Sequence, residues 1–171
     1  MNDATQLDDL SIQGQAGTDQ YLTFILAGEE YGVDIMRVQE IRGWESATSI
    51  PNTPDFILGV INLRGAVVPI IDLRSRFGLE SAEFSRTTVV IVVKIEDEAG
   101  DRIMGMVVDA VSEVYNVSED MLREAPDLGG AINTDFVKGL ATVDEKMIIL
   151  LDVDLLIKKG VLENIEDAEE I

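Results

Sequence analysis

The 171-residue chain contains neither cysteine nor histidine. Without cysteine it cannot form a disulfide, a thiolate metal site or a cysteine nucleophile, and this composition suits a reducing cytoplasm. Without histidine it lacks the most common general base and nitrogen ligand, so acid–base chemistry would depend on carboxylates, lysine and tyrosine. We therefore expect a protein that is not an enzyme and that binds no cofactor and no metal.

Basic residues are also scarce. The chain has 13 Lys and Arg against 33 Asp and Glu, which gives a net charge of -20. Such a charge repels nucleic-acid phosphates and anionic lipid surfaces. No segment approaches the roughly 20 apolar residues of a membrane span, and the polar N-terminus does not look like a signal peptide. The composition predicts a cytoplasmic protein with no nucleic-acid partner and no direct membrane insertion.

An internal repeat is the most informative feature of the sequence. Segment 59–73 recurs in outline eighty positions later, and segment 31–41 resembles segment 104–114 at an offset of seventy-three. The residues that match in the first repeat are Gly139, Leu140, Val143, Leu150, Leu151, Asp152 and Val153. Such self-similarity indicates one β unit built twice. A unit of about 70 residues has a small core, so the two are expected to pack against each other.

Alternating and β-branched apolar runs predict strands along most of the chain. The predicted strands cover 21–26, 31–35, 38–41, 56–63, 66–73, 87–95, 102–114, 136–143 and 146–151, with a hairpin loop over 97–101. Segment 87–95 is nearly all Val and Ile, which is typical of a strand buried on both faces. Gly65 should supply positive φ in a tight turn after Arg64. Pro69 should place its strand at an edge or a bulge.

Short helices and terminal segments complete the predicted organisation. Ser118 is a candidate N-cap of a helical turn, and Asp72 and Asp152 are candidate caps at the ends of strands. The helix after Asp152 should turn Leu155 and Leu156 inward. Residues 1–18 are predicted to be a flexible acidic tail, 125–135 a loop and 159–171 an acidic C-terminal segment. The domain between the tails should divide into a first barrel over about 19–84 and a second over 85–158, with strand exchange as an alternative.

Four segments resemble the CheW family of chemotaxis adaptors in order and in spacing, namely 30–35, 38–43, 52–54 and 59–65. The likeness continues through 107–114, Gly139-Leu140 and 149–152, so that it covers about residues 19 to 158. The same module occurs in the regulatory domain of the chemotaxis kinase CheA and at the front of CheV. This chain has no room for a kinase or receiver domain, so the resemblance favours a free-standing adaptor.

The resemblance implies a mainly β fold, with two five-stranded SH3-like barrels packed on a shared apolar seam and a few short helices. It also implies a non-enzymatic scaffold that couples methyl-accepting chemoreceptors to the histidine kinase CheA. The implied partners are the cytoplasmic hairpin tip of the receptor and the regulatory domain of CheA. Other CheW copies in array rings are a third partner that the sequence leaves open. Recruitment to receptor arrays would place the protein at the inner face of the membrane.

The resemblance also implies two binding sites. The residues carried over to the receptor groove are Val38, Glu40, Ile41, Arg64, Val111 and Val114, with Gly59 and Gly65 shaping the hairpin beside it. Leu128 is the residue carried over to the kinase contact. Spaced aliphatics in strands are more often core residues, and a charge at a hairpin tip is usually only solvated. The equivalence of the Val38 and Ile41 pair to the Val111 and Val114 pair favours the functional interpretation.

Three other functions remain open at the level of sequence. A CheW-like adaptor could serve another sensory pathway, such as surface motility or gene expression. A carboxylate-based enzyme within a β barrel is disfavoured because no convergent pair of acids stands out. A barrel that binds oligonucleotides is disfavoured by the net charge and by the lack of basic residues interleaved with aromatics.

Overall fold

The structure is a computed structural model that describes residues 18–80, 82–97, 100–124 and 136–157. The predictions for the loop 125–135 and for the acidic C-terminal segment lie outside these residues. The same is true of the N-terminal tail, apart from Thr18, which begins the first strand.

Strands dominate the described residues, as predicted. The eleven strands are β1 Thr18–Leu26, β2 Glu29–Asp34, β3 Val38–Gly43, β4 Ile57–Leu63, β5 Ala66–Asp72, β6 Val89–Asp97, β7 Gly100–Val108, β8 Ala110–Ser118, β9 Leu122–Arg123, β10 Val137–Val143 and β11 Lys146–Leu151. The short helices are α1 Leu73–Arg76 and α2 Val153–Ile157, with single 3-10 turns at Ile35–Arg37 and Glu119–Met121.

The strands form two sheets, and the predicted mainly β fold is confirmed. The five-stranded sheet has the order β3-β6-β7-β5-β4, and the six-stranded sheet has the order β8-β1-β2-β11-β10-β9. The sixth strand of the larger sheet is β9, a two-residue edge strand that pairs with β10. A bridge between Thr48 and Val60 connects the segment after β3 to β4, so the five-stranded sheet curls toward closure as in a barrel.

The two sheets do not follow the two halves of the chain. The β1–β2 hairpin lies in the sheet that contains β10 and β11, whereas the β6–β7 hairpin lies in the sheet that contains β4 and β5. Each hairpin is therefore exchanged into the sheet of the other half. Each sheet contains strands from both halves of the chain. The predicted boundary near residue 84, between a first and a second barrel, therefore stays a prediction.

The core has three parts that match this architecture. One small cluster lies inside the five-stranded sheet and includes Val90 and Val92, and another lies inside the six-stranded sheet and includes Tyr21 and Tyr115. The largest cluster, here called the seam, draws residues from both sheets and from both short helices. Strand β6 alternates between its own barrel and the seam, where Ile91 and Val93 lie, so its predicted burial on both faces is confirmed.

The repeat predicted from sequence is visible in the strand pairing. The β4–β5 hairpin has a register shift between Ile57 and Gly59, and the β10–β11 hairpin has one between Val137 and Gly139. Each hairpin then pairs in parallel with an exchanged strand through equivalent residues, which are Ile70 with Gly105 and Leu150 with Gly32. The chain therefore does contain one β unit built twice.

The turn and cap predictions are largely confirmed. Gly65 has a φ of 90° and Arg64 a φ of 51°, which is the left-handed geometry of a two-residue hairpin turn. Asp72 Oδ1 accepts a hydrogen bond from the Arg74 backbone N–H at 3.1 Å. Asp152 Oδ1 accepts one from the Leu155 N–H at 3.1 Å. Both carboxylates therefore cap the short helix that follows.

Two predictions about short helices are corrected. Leu156 is fully buried in α2, but Leu155 is 39% exposed, because a helix this short turns only one face inward. Ser118 does precede a 3-10 turn, yet it makes no side-chain capping bond. Its hydroxyl instead donates to the Asp120 carboxylate.

The prediction of one strand over 102–114 is wrong. The chain breaks at Asp109, and the two pieces, β7 and β8, belong to different sheets. The backbone N–H of Asp109 donates to the Ile25 carbonyl at 3.1 Å as the chain crosses over. The β6–β7 turn is also tighter than the predicted 97–101 loop, because Asp97 already pairs with Gly100.

The edge position predicted from Pro69 is also wrong, since β5 lies between β4 and β7. Pairing with β7 begins only at Ile70. The proline nitrogen, which has no hydrogen to donate, therefore lies one residue before the paired stretch. The bulge of this hairpin lies in the opposite strand, between Ile57 and Gly59.

Candidate functional site

The first half of the candidate site is the edge strand β3. Val38 and Ile41 are three residues apart, a spacing that would place them on opposite faces of a regular strand. A register shift between Val38 and Glu40 changes this, so that Val38 lies opposite Val93 and Ile41 opposite Ile91. Both partners belong to the seam, and directly opposed residues share a face. The bulge therefore places Val38 and Ile41 together on the seam side.

Edge strand β8 repeats this arrangement. Val111 lies opposite Phe24 and Val114 opposite Leu22, with a register shift between the two pairs. Phe24 and Leu22 are again seam residues, so both valines lie on the seam side of the other sheet. The two halves of the chain thus build the same bulged edge against one shared core.

Burial differs along these edges. Val38 and Val111 are partly buried and pack against the seam. Ile41 and Val114 lie farther out and are 44% and 39% exposed. Each edge strand therefore extends the apolar surface of the seam to solvent. Val38 and Val111 have the core role that spaced aliphatics usually have, whereas Ile41 and Val114 are free to contact a partner.

The β8 bulge is held by a buried hydroxyl. Thr23 is fully buried on β1, and its Oγ1 donates to the Glu113 carbonyl at 2.9 Å. The same oxygen accepts a hydrogen bond from the Glu113 backbone N–H at 3.1 Å. Both backbone groups of Glu113, which lies within the bulge, are therefore satisfied, and this stabilises the displaced register.

The structure brings Glu40 and Arg64 together. Arg64, at the tip of the β4–β5 hairpin, places its Nη1 3.2 Å from Oε1 of Glu40 on β3. Its side chain is 75% exposed, against 27% for Glu40. The second oxygen of Glu40, Oε2, is buried and has no hydrogen-bond partner among the described residues. Glu40 therefore retains acceptor capacity, and Arg64 retains most of its donors.

The two glycines of the predicted site have different functions in the fold. The Gly65 N–H donates to Asn62 Oδ1 at 2.9 Å, and a Cβ added at Gly65 would meet open space. Gly59 has a φ of 140°, and an added Cβ would lie 2.0 Å from the Thr48 carbonyl oxygen. Gly59 thus permits the close backbone approach of the Thr48–Val60 bridge.

Comparison with known proteins identifies the family. A family model described as "CheW-like domain" matches residues 20–161. The chain belongs to the CheW-like domain family. It is 44% identical to "Chemotaxis protein CheW" of Klebsiella aerogenes over 146 residues, which is 85% of this chain and 86% of the relative. It is 37% identical to "Probable chemotaxis protein CheW" of Rhizobium etli, covering 82% of this chain and 88% of the relative.

A solved CheW structure has the same fold. The structure of the scaffolding protein TtCheW from Thermoanaerobacter tengcongensis superposes with a TM-score of 0.74 at 40% sequence identity. The match covers 84% of this chain and 94% of that protein. The two sheets described above are therefore the CheW-like architecture.

Two ion pairs beside the edge strands of this CheW-like chain were missed by sequence reasoning. Arg37, next to Val38, binds Asp154 of α2 through two hydrogen bonds of 3.0 and 2.8 Å. Arg74 of α1 binds Asp109, two residues before Val111, at 2.8 and 2.6 Å. Asp109 lies one position before the residue that the offset of seventy-three makes equivalent to Arg37. This near-equivalence of two charged residues was the sequence signal that could have revealed the ion pairs.

Ion pairing shifts the pKa of Asp109, Arg74 and Arg37. The hydrogen bond from Arg74 lowers the pKa of Asp109, and the same bond raises the pKa of Arg74. For Arg37, desolvation opposes the charge, but the hydrogen bond and charge of Asp154 raise its pKa overall. Asp109, Arg74 and Arg37 are therefore held in their charged forms at neutral pH.

The remaining predicted site residue of the CheW-like domain, Leu128, lies outside the described residues.

Within the described ranges, none of the helices has the length and apolar composition of a membrane span. Within the same ranges, no group of three or more acidic side chains is arranged to hold a metal ion.

Proposed function

We propose that this chain is a non-catalytic adaptor that couples chemoreceptors to the kinase CheA. The observation that carries the proposal is the pair of bulged edge strands, which extend the seam to the surface at Ile41 and Val114. An apolar strip of this kind fits the apolar face of an amphipathic helix, the helix-in-groove mode of recognition. The receptor's cytoplasmic hairpin tip, which is helical, is the proposed occupant.

The ion pair at Arg64 and Glu40 supports a polar rim beside this strip. Arg64 is exposed enough to leave Glu40 for a carboxylate on the receptor, and its planar fork can bind that carboxylate through two hydrogen bonds. Loss of this two-bond contact should therefore weaken receptor binding.

The coupling function is supported by the named relatives. They are called chemotaxis proteins, and the solved relative is called a scaffolding protein. An adaptor needs a second surface for the kinase, and we propose that this surface includes Leu128. Binding to both partners would recruit the protein to receptor arrays at the inner face of the membrane.

Titration calorimetry with two separate ligands tests the proposal. One is a receptor fragment that contains the cytoplasmic hairpin tip, and the other is the CheA regulatory domain, both from the organism of this chain. Ile41→Glu with Val114→Glu should abolish receptor binding and leave CheA binding intact, whereas Leu128→Glu should do the reverse.

Met147→Glu is the matched control for the receptor arm, because Met147 is an exposed aliphatic at 60% and belongs to neither edge strand. If the variant with Ile41→Glu and Val114→Glu still binds the receptor fragment, the receptor does not bind at these two edge strands. Failure of the unaltered chain to bind either ligand would refute the adaptor function in this pathway.

A further inference from the structure

Two charged clasps hold the chain where it crosses between sheets. The first clasp is the bidentate pair of Arg37 and Asp154, and the second is the bidentate pair of Arg74 and Asp109. Arg37 follows β2 and Asp109 follows β7, at the two points where the chain leaves one sheet for the other. Each clasp therefore ties a crossover to the helix that follows the neighbouring parallel strand.

The clasps occupy corresponding places in the repeat, with the two crossover residues one position out of register, and they have opposite polarity. Arg74 of α1 and Asp154 of α2 are eighty positions apart, so they are the same residue of the repeated unit with opposite charge. The crossover residues are reversed in the same way, with Arg37 after β2 and Asp109 after β7. Each helix thus carries the charge that fits the crossover it contacts.

We propose that this reversed polarity specifies which hairpin joins which sheet. In the alternative arrangement each half would keep its own hairpin, with β2 beside β5 and β7 beside β11. Arg74 would then face Arg37, and Asp154 would face Asp109. Both contacts would be repulsive, whereas both observed contacts are attractive. The charges act against the unexchanged arrangement as well as for the exchanged one.

A discriminating element is needed because backbone pairing does not distinguish the arrangements. The parallel pairs of Ile70 with Gly105 and of Leu150 with Gly32 are equivalent, so exchanging the hairpins would restore the same ladders. The four side chains of the clasps are between 18% and 30% exposed, so water only partly screens the interactions between their charges. Partly buried charges are screened by salt less than exposed ones.

Each clasp also has local partners. The backbone N–H of Glu96 donates to Asp154 Oδ1 at 3.0 Å, and the Glu96 carboxylate lies 3.4 Å from Arg37. The backbone N–H of Ala27 donates to Asp109 Oδ2 at 2.9 Å. Reversing one clasp therefore has a local cost, and reversing both clasps should add those costs together.

This additivity makes charge reversal a decisive experiment. Arg37→Asp with Asp154→Arg keeps both observed clasps attractive, but makes both contacts of the alternative attractive as well. Arg74→Asp with Asp109→Arg has the same effect. All four changes together make the alternative repulsive again. If the variants only damage local contacts, the fourfold variant should have the smallest fraction of molecules in the exchanged arrangement. If the charges specify the arrangement, that fraction should be the same in the fourfold variant as in the unaltered chain.

The reporter is a disulfide between Gln20→Cys and Asn116→Cys in a chain that has no other cysteine. These residues lie directly opposite each other on β1 and β8, which are neighbours only in the exchanged arrangement. Each variant is refolded from denaturant and oxidised, and the intramolecular cross-link is measured by mass spectrometry. Circular dichroism reports how much of each variant is folded.

We expect the unaltered and fourfold variants to cross-link nearly completely. Each single-clasp reversal should lose part of the cross-link, because its charges no longer disfavour the unexchanged arrangement. The proposal is overturned if a single-clasp reversal cross-links as completely as the unaltered chain. It is also overturned if the fourfold variant cross-links less than either single-clasp reversal.

Discussion

Arg64 on the β4–β5 hairpin and Glu40 on β3 are paired across opposite edges of the five-stranded sheet, with 3.2 Å between Nη1 and Oε1. The pair connects two strands that share no ladder. Because the Arg64 side chain is 75% exposed, the contact is screened by water and contributes little to stability. Both residues were assigned to receptor binding from sequence, and the structure now places them beside each other.

Arg64→Lys should weaken receptor binding although it keeps the charge. Lysine lacks the planar fork for two parallel hydrogen bonds with a carboxylate, and losing a charge-assisted bond lowers affinity by about tenfold. Calorimetric titration with the receptor fragment measures this change. Denaturant unfolding is the control, and it should shift by less than about 1 kcal/mol. Unchanged affinity would show that Arg64 is only a solvated charge.

The inner and outer aliphatics of the edge strands should respond differently to truncation. Val38→Ala and Val111→Ala remove partly buried contacts with the seam and should lower the free energy of unfolding by roughly 1–2 kcal/mol. Ile41→Ala and Val114→Ala should cost less, because these side chains are more exposed, yet they should weaken receptor binding. Urea unfolding and receptor titration of all four variants separate the two roles. Equal stability losses at inner and outer positions would contradict this division.

Gly59→Ala should be much more destabilising than Gly65→Ala. Both glycines have positive φ, which costs other residues about 1–2 kcal/mol. A Cβ at Gly59 would additionally lie 2.0 Å from the Thr48 carbonyl oxygen, whereas one at Gly65 has open space. Chemical unfolding should show a loss of about 1 kcal/mol for Gly65→Ala and several times more for Gly59→Ala. Similar losses in the free energy of unfolding for the two variants would mean that the Thr48 segment can move away from an added Cβ at little cost.

Thermal unfolding should occur in a single transition. The exchanged hairpins give each sheet strands from both halves of the chain, and the seam contains residues of both sheets. Neither half can unfold without exposing the core of the other, so the domain should be cooperative. Scanning calorimetry should give equal calorimetric and van't Hoff enthalpies. Two resolved transitions would show independent barrels.

The stabilisation by Asp109 should depend on pH. The hydrogen bond from Arg74 lowers the pKa of Asp109 in the folded protein below its ordinary value of 3.8. A lowered pKa of an acid means that its stabilising contribution is present above the ordinary value and lost as pH falls through the folded value. Asp109→Asn should therefore be less stable than the unaltered chain at pH 7. The difference should shrink below pH 3.8, and a difference that is constant down to pH 2 would contradict the assignment.

Local signals in the sequence were enough to predict much of the fold. The alternating apolar runs, the Arg64-Gly65 turn and the capping carboxylates of Asp72 and Asp152 were all found where expected. These features depend on residues close together in the chain, whose periodicity and turn chemistry are readable directly. The strand break at Asp109 was not readable, because apolar residues continue on both sides of it.

The candidate site was predictable as a set of residues but not as a surface. The repeat related Val38 and Ile41 to Val111 and Val114, yet a spacing of three residues predicts opposite faces of a strand. Only the bulges in β3 and β8 place each pair on one face. A bulge is defined by the partner strand, and both partners are distant in sequence.

The sequence alone therefore determined the repeat, the strands, the turns and the family to which the chain belongs. Tertiary structure decided which hairpin lies in which sheet, which aliphatics reach the surface and which charges meet at the crossovers. The physical reason is the range of the interactions. Strand propensity and turn geometry act within a few residues, whereas exchange, register and the clasps arise from contacts between segments about 35 to 117 residues apart.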